Sequence, residues 1–342
     1  MNAFDARKSP VIPSPGRSTS DAVLVLRALG LGDALAGIPA LRGIRRRWPG
    51  RFITLAAGRD IGCWLKDLGV IDEVLPTEGL TTLTWPPPGW IGIGGHIAVD
   101  LHGKGPLSHR LLSATAPDEL IAFRCRRAGH LSGPPWRSAE HEVDRWCRLI
   151  RSAGGSCDAD DLRLPNGTGR SASVVLHPGA ASASRRWPAD RWSWLAGRLV
   201  RSGHRITITG GAAEARMCSR IAENAILERG LADITVEAGT VDLRELTTVI
   251  GRAALLVSGD TGVAHLATAL GTPSVLLFGP TPPQYWGPAI DHDLHTVLWH
   301  GELDRPGDPH GDTIDPDLAT ITGPEALAAA EDMLASCYAG SS

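Results

Sequence analysis

Lysine is almost missing from this chain. Only Lys8, Lys66 and Lys104 interrupt a set of 34 basic residues, and the other 31 are arginine. With 40 glycines and 25 prolines beside them, the bias reads as drift toward GC-rich codons. An arginine in a lysine's role then keeps the charge without announcing new chemistry. Excess positive charge is also lacking: the formal net charge is −3, which removes the bulk electrostatic case for nucleic acid. No run reaches the ~18 apolar residues of a membrane span. The first twenty residues hold no apolar signal-peptide core and are rich in Ser and Pro, so 1–20 is expected to be a disordered tail. The six cysteines (Cys63, Cys125, Cys147, Cys157, Cys218, Cys337) form no C-x-x-C pair. They read as reduced, core-filling thiols of a cytoplasmic protein, and no His/Cys group has zinc spacing.

What the chain does have is strand, glycine turn and helix, twice over. At 342 residues with 43% apolar content it is long enough for two ordinary domains. Ala22–Leu26 and Phe52–Ala56 are short apolar runs of the kind buried in parallel sheets. Leu29-Gly-Leu-Gly-Asp33 turns between them, and a helix is expected over Ala34–Trp48. Further strands are expected at Glu73–Leu75, His96–Asp100 and Leu120–Phe123, with a loop over Trp85–Gly95. Glu140–Ala153 carries Val143, Trp146, Cys147 and Ile150 at helical spacing. A polar, Gly-rich linker over Gly154–Arg170 follows.

The pattern then restarts. Strands are expected at Ser173–Leu176, Arg205–Thr209, Ala253–Val257 and Ser274–Phe278. Helices are expected at Pro188–Ser202, Glu214–Arg229, Leu243–Gly251, Val263–Leu270 and Gly323–Ser336. This order gives an α/β protein of two Rossmann-like, doubly wound halves, 21–165 and 166–323, with 324–342 as closing helix and tail. The cleft between the halves is the expected site.

The chemistry gathers at the carboxyl ends of these strands. Ser258-Gly259-Asp260-Thr261-Gly262 turns a strand into a helix, and an open helix start with glycines suits a phosphate. A plain ligand-free loop fits the turn equally well, but His265 in the first helical turn reaches easily toward a bound group. Gly30-Leu-Gly32-Asp33 fails the dinucleotide fingerprint, because Leu35 stands where the third glycine belongs. Asp33 at that turn is a helix cap or a general base. Arg185 and Arg186 could clamp a diphosphate as guanidinium forks, or form a solvated basic turn. Glu214 could accept from a ribose hydroxyl, or could serve the helix dipole. Asp158-Ala-Asp160 matches a metal-binding D-x-D pattern but has no strand before it. Trp85, Trp90 and Trp136 could stack on an acceptor, although packing is the simpler reading.

Three blocks taken together resemble glycosyltransferase family 9, the ADP-heptose:lipopolysaccharide heptosyltransferase family. They are Leu29–Asp33 with Ile38-Pro-Ala-Leu41, His177-Pro-Gly179 with Arg186-Trp-Pro188, and Gly259–His265 running on to Pro280. The resemblance implies a GT-B fold with two Rossmann-like domains facing a cleft. It also implies inverting, metal-independent transfer from a nucleotide-diphospho-sugar, with an ADP-sugar donor and no cofactor.

It places the catalytic base on Asp33, with Gly32 in support. It places donor contacts on Arg185 (where the family carries lysine), Asp260, Thr261, Gly262 and His265. Glu214 is added to the donor site from its own position, with Gly259 and Arg186 in support. Partners are then a nucleotide-sugar donor and a glycan, glycolipid or small-molecule acceptor, with no nucleic acid and with peripheral contact at the inner membrane face. The alternatives on the same fold are a nucleotide-sugar epimerase and a non-catalytic nucleotide-sugar binder.

Overall fold

The structure is a computed structural model and describes residues 16–166, 169, 171–227 and 233–339. Residues 1–15 of the expected tail, 167, 168 and 170 of the expected linker, residues 228–229 of one expected helix, and residues 340–342 of the closing tail lie outside the described residues.

All named strands pair in parallel. The first sheet comprises β1 (Ala22–Leu26), β2 (Phe52–Ala57), β3 (Glu73–Pro76), β4 (Ile97–Asp100) and β5 (Glu119–Ile121), in the order β3-β2-β1-β4-β5. The second comprises β6 (Ser173–His177), β7 (Arg205–Ile208), β8 (Ile234–Val236), β9 (Leu255–Gly259), β10 (Ser274–Leu277) and β11 (His295–Leu298), in the order β11-β10-β9-β6-β7-β8. The apolar runs form the central strands because both sheet faces are covered: every residue of β1, β9 and β10 is buried. The order reverses between β1 and β4 in one sheet and between β6 and β9 in the other. Those reversals are the switch points where open α/β sheets take ligands.

The helices are α1 (Leu31–Ala36), α2 (Ile38–Arg47), α3 (Arg59–Asp67), α4 (Leu107–Ser113), α5 (Glu142–Ser152), α6 (Ala189–Arg201), α7 (Ala215–Leu227), α8 (Leu243–Arg252), α9 (Gly262–Leu270), α10 (Pro283–Trp286), α11 (Pro316–Thr320) and α12 (Gly323–Ala339). By tertiary contacts the described chain forms two compact units. One comprises 16–29, 40–137 and 146–157; the other comprises 30–39, 138–145 and everything from 158 onward. The core of the second unit packs α6 through Trp192, Leu195 and Leu199, one stripe at helical spacing, onto Val174, Leu176 and Val257.

Several expectations change in detail. The single helix expected over 34–48 is two. Pro39, which has no N–H to donate, follows Gly37, whose N–H closes α1 on Asp33 and Ala34 oxygens. The helical segment also starts earlier, at Leu31. Gly30 is therefore the cap, and Asp33 stands in the first turn. The Asp158 run is a capping box: Asp158 accepts from Asp160 N–H, and Asp161 accepts from Asp158 N–H. Two further residues of the expected linker bond α9, with Leu164 N–H on Ala269 O at 2.7 Å and Asn166 Nδ2 on Leu270 O at 2.8 Å.

Candidate active site

The site is built at the β6/β9 switch point of the second sheet. β9 ends on Gly259, and Asp260 and Thr261 turn the chain into α9. Thr261 is the cap residue, and its side chain makes no bond to the first turn. The start of this nine-residue helix therefore presents its dipole with no side-chain cap. A Cβ on Gly259 would lie 3.1 Å from Arg185 O, which brings the β6 loop against the β9 turn.

Arg185 is tied to that turn. Its Nη1 donates to Asp260 O at 3.0 Å, and its guanidinium lies 3.9 Å from Asp260 Oδ2. Its Nε is buried without a hydrogen-bond partner. Burial pushes the Asp260 carboxyl above its ordinary range; Arg185 and a hydrogen bond from Thr281 pull the other way, and the nearby Asp33 charge adds to the rise. Asp260 therefore sits among a cation, a hydroxyl and a second carboxylate.

Asp33 reaches this cluster through two facing glycines. A Cβ on Gly262 would meet Leu31 Cβ at 2.8 Å and Gly32 N at 3.0 Å, and a Cβ on Gly32 would meet His265 Cδ2 at 2.8 Å. The start of α1 and the start of α9 thus pack backbone to backbone, with the His265 ring laid over Gly32. Trp286 closes the far side of that ring edge-on, at 5.8 Å between centroids. Gly30–Pro39 and α9 belong to the same compact unit. The expected halves, 21–165 and 166–323, part these two segments, whereas by tertiary contacts they group together.

The structure gathers Gly32, Asp33, Arg185, Gly259, Asp260, Thr261, Gly262 and His265. Glu214 and Arg186 stand apart from them. Glu214 accepts from Gly211 N–H at 2.7 Å, the helix-start role weighed above, while its carboxylate fills the space over Gly179. Arg186 turns back on its own loop, with Nε donating to Ala180 O at 2.9 Å. It braces that loop.

One neighbour of Asp260 lay outside the sequence analysis: Thr281 follows the Gly-Pro after β10, at the same sheet edge, and that position was the available signal. His177, from the second family block, is the last residue of β6. It is buried and bonded through Nδ1 to Thr209 Oγ1 at 2.9 Å, and burial lowers its pKa to about 4. Among the described residues, no group of three or more His, Cys, Asp or Glu side chains could hold a metal ion.

A doubly wound sheet with an open helix start, an arginine and a carboxylate at its switch point defines an α/β protein with a place for an anionic ligand at that edge. Residues 139–304 match the family model described as glycosyltransferase family 9 (heptosyltransferase). Lipopolysaccharide heptosyltransferase 1 of Pseudomonas aeruginosa is 35% identical over 314 residues, covering 78% of this chain and 80% of that one. The structure of the E. coli ADP-heptose lipopolysaccharide heptosyltransferase II superposes with a TM-score of 0.70 at 18% identity, over 92% of this chain and 99% of that one. E. coli heptosyltransferase WaaC with ADP superposes at 0.65 and 20% identity, over 91% and 99%. The chain belongs to glycosyltransferase family 9. It is a glycosyltransferase of the GT-B fold.

Proposed function

We propose that the enzyme moves a heptosyl group from ADP-heptose to a hydroxyl of a lipopolysaccharide core, inverting the anomeric centre without a metal ion. Asp33 is the general base. The acceptor oxygen forms a bond to the anomeric carbon as the bond from that carbon to the β-phosphate oxygen breaks. Asp33 takes the acceptor proton and ADP leaves. The charge growing on the diphosphate is met by Arg185, by the first N–H groups of α9 at Thr261 and Gly262, and by His265. Glu214, held at the same edge by Gly211, is assigned to a ribose hydroxyl.

The observation that carries this reading is the packing of Gly32 on His265 and Gly262, which sets a carboxylate beside an anion-binding helix start. The names of the relatives and the ADP held by a fold neighbour support the choice of donor. Among the described residues no helix is long and apolar enough to cross a membrane. The lipid-linked acceptor is accordingly assigned to be met peripherally, at the inner membrane face.

The test is transfer from ADP-heptose to heptose-deficient lipopolysaccharide in excess EDTA, with the product anomer read by NMR and ADP binding read by calorimetry. Asp33→Asn should bind ADP as the wild type does and lose turnover by a factor of a hundred or more. Turnover at the wild-type rate in this variant, a retained anomer, or transfer abolished by EDTA refutes the mechanism. Absence of ADP binding refutes the donor.

A further inference from the structure

A second charged pair lies inside the first unit, at the switch point between β1 and β4, and the chemistry above makes no use of it. Asp100 ends β4 and is fully buried, as is His109 on α4. His109 Nδ1 lies 2.8 Å from Asp100 Oδ2, a charge contact off the line of an ideal hydrogen bond, while Nε2 lies 2.7 Å from Phe123 O.

A carbonyl oxygen can only accept, so Nε2 carries a proton. A carboxylate oxygen 2.8 Å from Nδ1, although out of line for an ideal hydrogen bond, favours a proton on that nitrogen as well. The contacts of the pair thus favour the charged ring. Burial opposes that charge, but the Asp100 contact, its Coulombic attraction and the Phe123 carbonyl outweigh burial and raise the pKa above 6.5. The groups facing the pair are the Ser108 hydroxyl, 3.4 Å from Nδ1, and His130, edge-on at 5.6 Å. Burial lowers the His130 pKa, as does the nearby His109.

The pair fastens a loop at the sheet edge. Asp100 Oδ1 accepts from His102 N–H at 2.9 Å. Gly105, at φ +72°, presses on the His109 ring so closely that a Cβ would fall 2.6 Å from Nδ1. Arg27, leaving β1, donates through Nη1 to Leu101 O. Residues 101–106, with the exposed Lys104, are therefore held at the carboxyl edge where β1 leads into the Asp33 segment. A buried ion pair is a poor route to stability, because desolvation cancels most of its attraction.

We infer that Asp100 and His109 are positioning residues that hold the 101–106 loop as the acceptor-binding edge. The inference rests on the transferase reading. Wild type, His109→Gln and the isosteric neutral pair Asp100→Asn/His109→Gln are assayed from pH 6 to 9 with ADP-heptose and heptose-deficient lipopolysaccharide. ADP affinity, read by calorimetry, serves as the folding control. In the wild type, acceptor KM should rise about tenfold as pH climbs through the His109 pKa, with kcat and ADP affinity flat. Both variants should show the high KM at every pH.

Nitrogen NMR of the wild type, labelled at histidine, should show both His109 nitrogens protonated at pH 7 whether or not transfer is seen. A neutral His109 at pH 7, or a variant KM within twofold of wild type across the range, overturns the inference. Failure of the wild type to bind ADP overturns the transferase reading instead, leaving the NMR result to decide the pair.

Discussion

Gly32→Ala adds one methyl group at the junction of α1 and α9. The new carbon would stand 2.8 Å from His265 Cδ2, 3.3 Å from Nε2 and 3.4 Å from Gly262 Cα. Ordinary carbon contact needs about 3.5 Å or more, so the imidazole must retreat by roughly 0.7 Å. The ring is the end of a side chain and yields more readily than the Gly262 backbone, although Trp286 limits where it can go. Small overpacking of this kind costs about 1–3 kcal/mol, and yielding by the ring keeps the cost near the lower end. The melting point should fall by only a few degrees.

The functional loss should be larger than the stability loss. His265 is assigned to the leaving diphosphate, and the displaced methyl also presses on the start of α9. ADP affinity should fall about tenfold or more, and each tenfold is ~1.4 kcal/mol. The assay is calorimetric ADP binding across the cycle of wild type, Gly32→Ala, His265→Ala and the double variant. If the methyl acts by displacing the ring, it should cost far less once the ring is gone, with a coupling of about 1 kcal/mol or more. Additive losses would mean that Gly32 acts elsewhere. Unchanged ADP affinity in Gly32→Ala would refute the reasoning outright.

Arg185→Lys should keep most ADP affinity, since the charge stays beside Asp260, whereas Arg185→Ala should lose it about tenfold and leave the Asp260 carboxyl without its cation; titration calorimetry separates the two. Stability should fall with acid between pH 6.5 and about 4. Burial lowers both His177 and His295 to about 4 in the folded state, so the unfolded chain binds the extra protons in that window. Each histidine then removes about 3 kcal/mol by its lower end, and a chemical-denaturation midpoint that is flat from pH 6.5 to 4.5 would contradict this. Trp187→Phe should cost about 1 kcal/mol by removing the indole N–H that Ile321 O accepts at 2.9 Å, since that carbonyl keeps its bond from Arg191 Nη1. ADP affinity should be unchanged in that variant, because Trp187 braces the core.

The sequence alone was enough to place β1, β2, β6, β7, β9 and β10, because strands buried on both faces leave unbroken apolar runs between glycine turns. α3, α4, β8 and β11 left weaker marks. α3 has Gly62 inside it and buries only that glycine, Trp64 and Leu65, while β8 and β11 are short edge strands with half-exposed residues. The switch-point turn at Ser258–Gly262 was legible for the same reason as the strands. The company kept by Asp33 was not. The side of the chain on which a short helix packs depends on the contacts of Gly32 with Gly262 and His265, more than two hundred positions away. Pairwise fit at that range has no periodicity to betray it. Arg186 shows the reverse limit, since its guanidinium bonds Ala180 O of its own loop, and a charged residue beside a turn looks the same in sequence whatever it meets.

The assignment of residues 30–39 to the same compact unit as α9 bears on how such enzymes can be recombined. A chimera joined at a single point between the two sheets would separate Asp33 from the histidine that lies over Gly32. Two further crossovers, after Leu29 and before Ala40, would keep the Asp33 carboxylate and the Ser258–Gly262 turn from one parent. The portable module is discontinuous in sequence, and shuffling libraries cut only at the apparent linker break it every time.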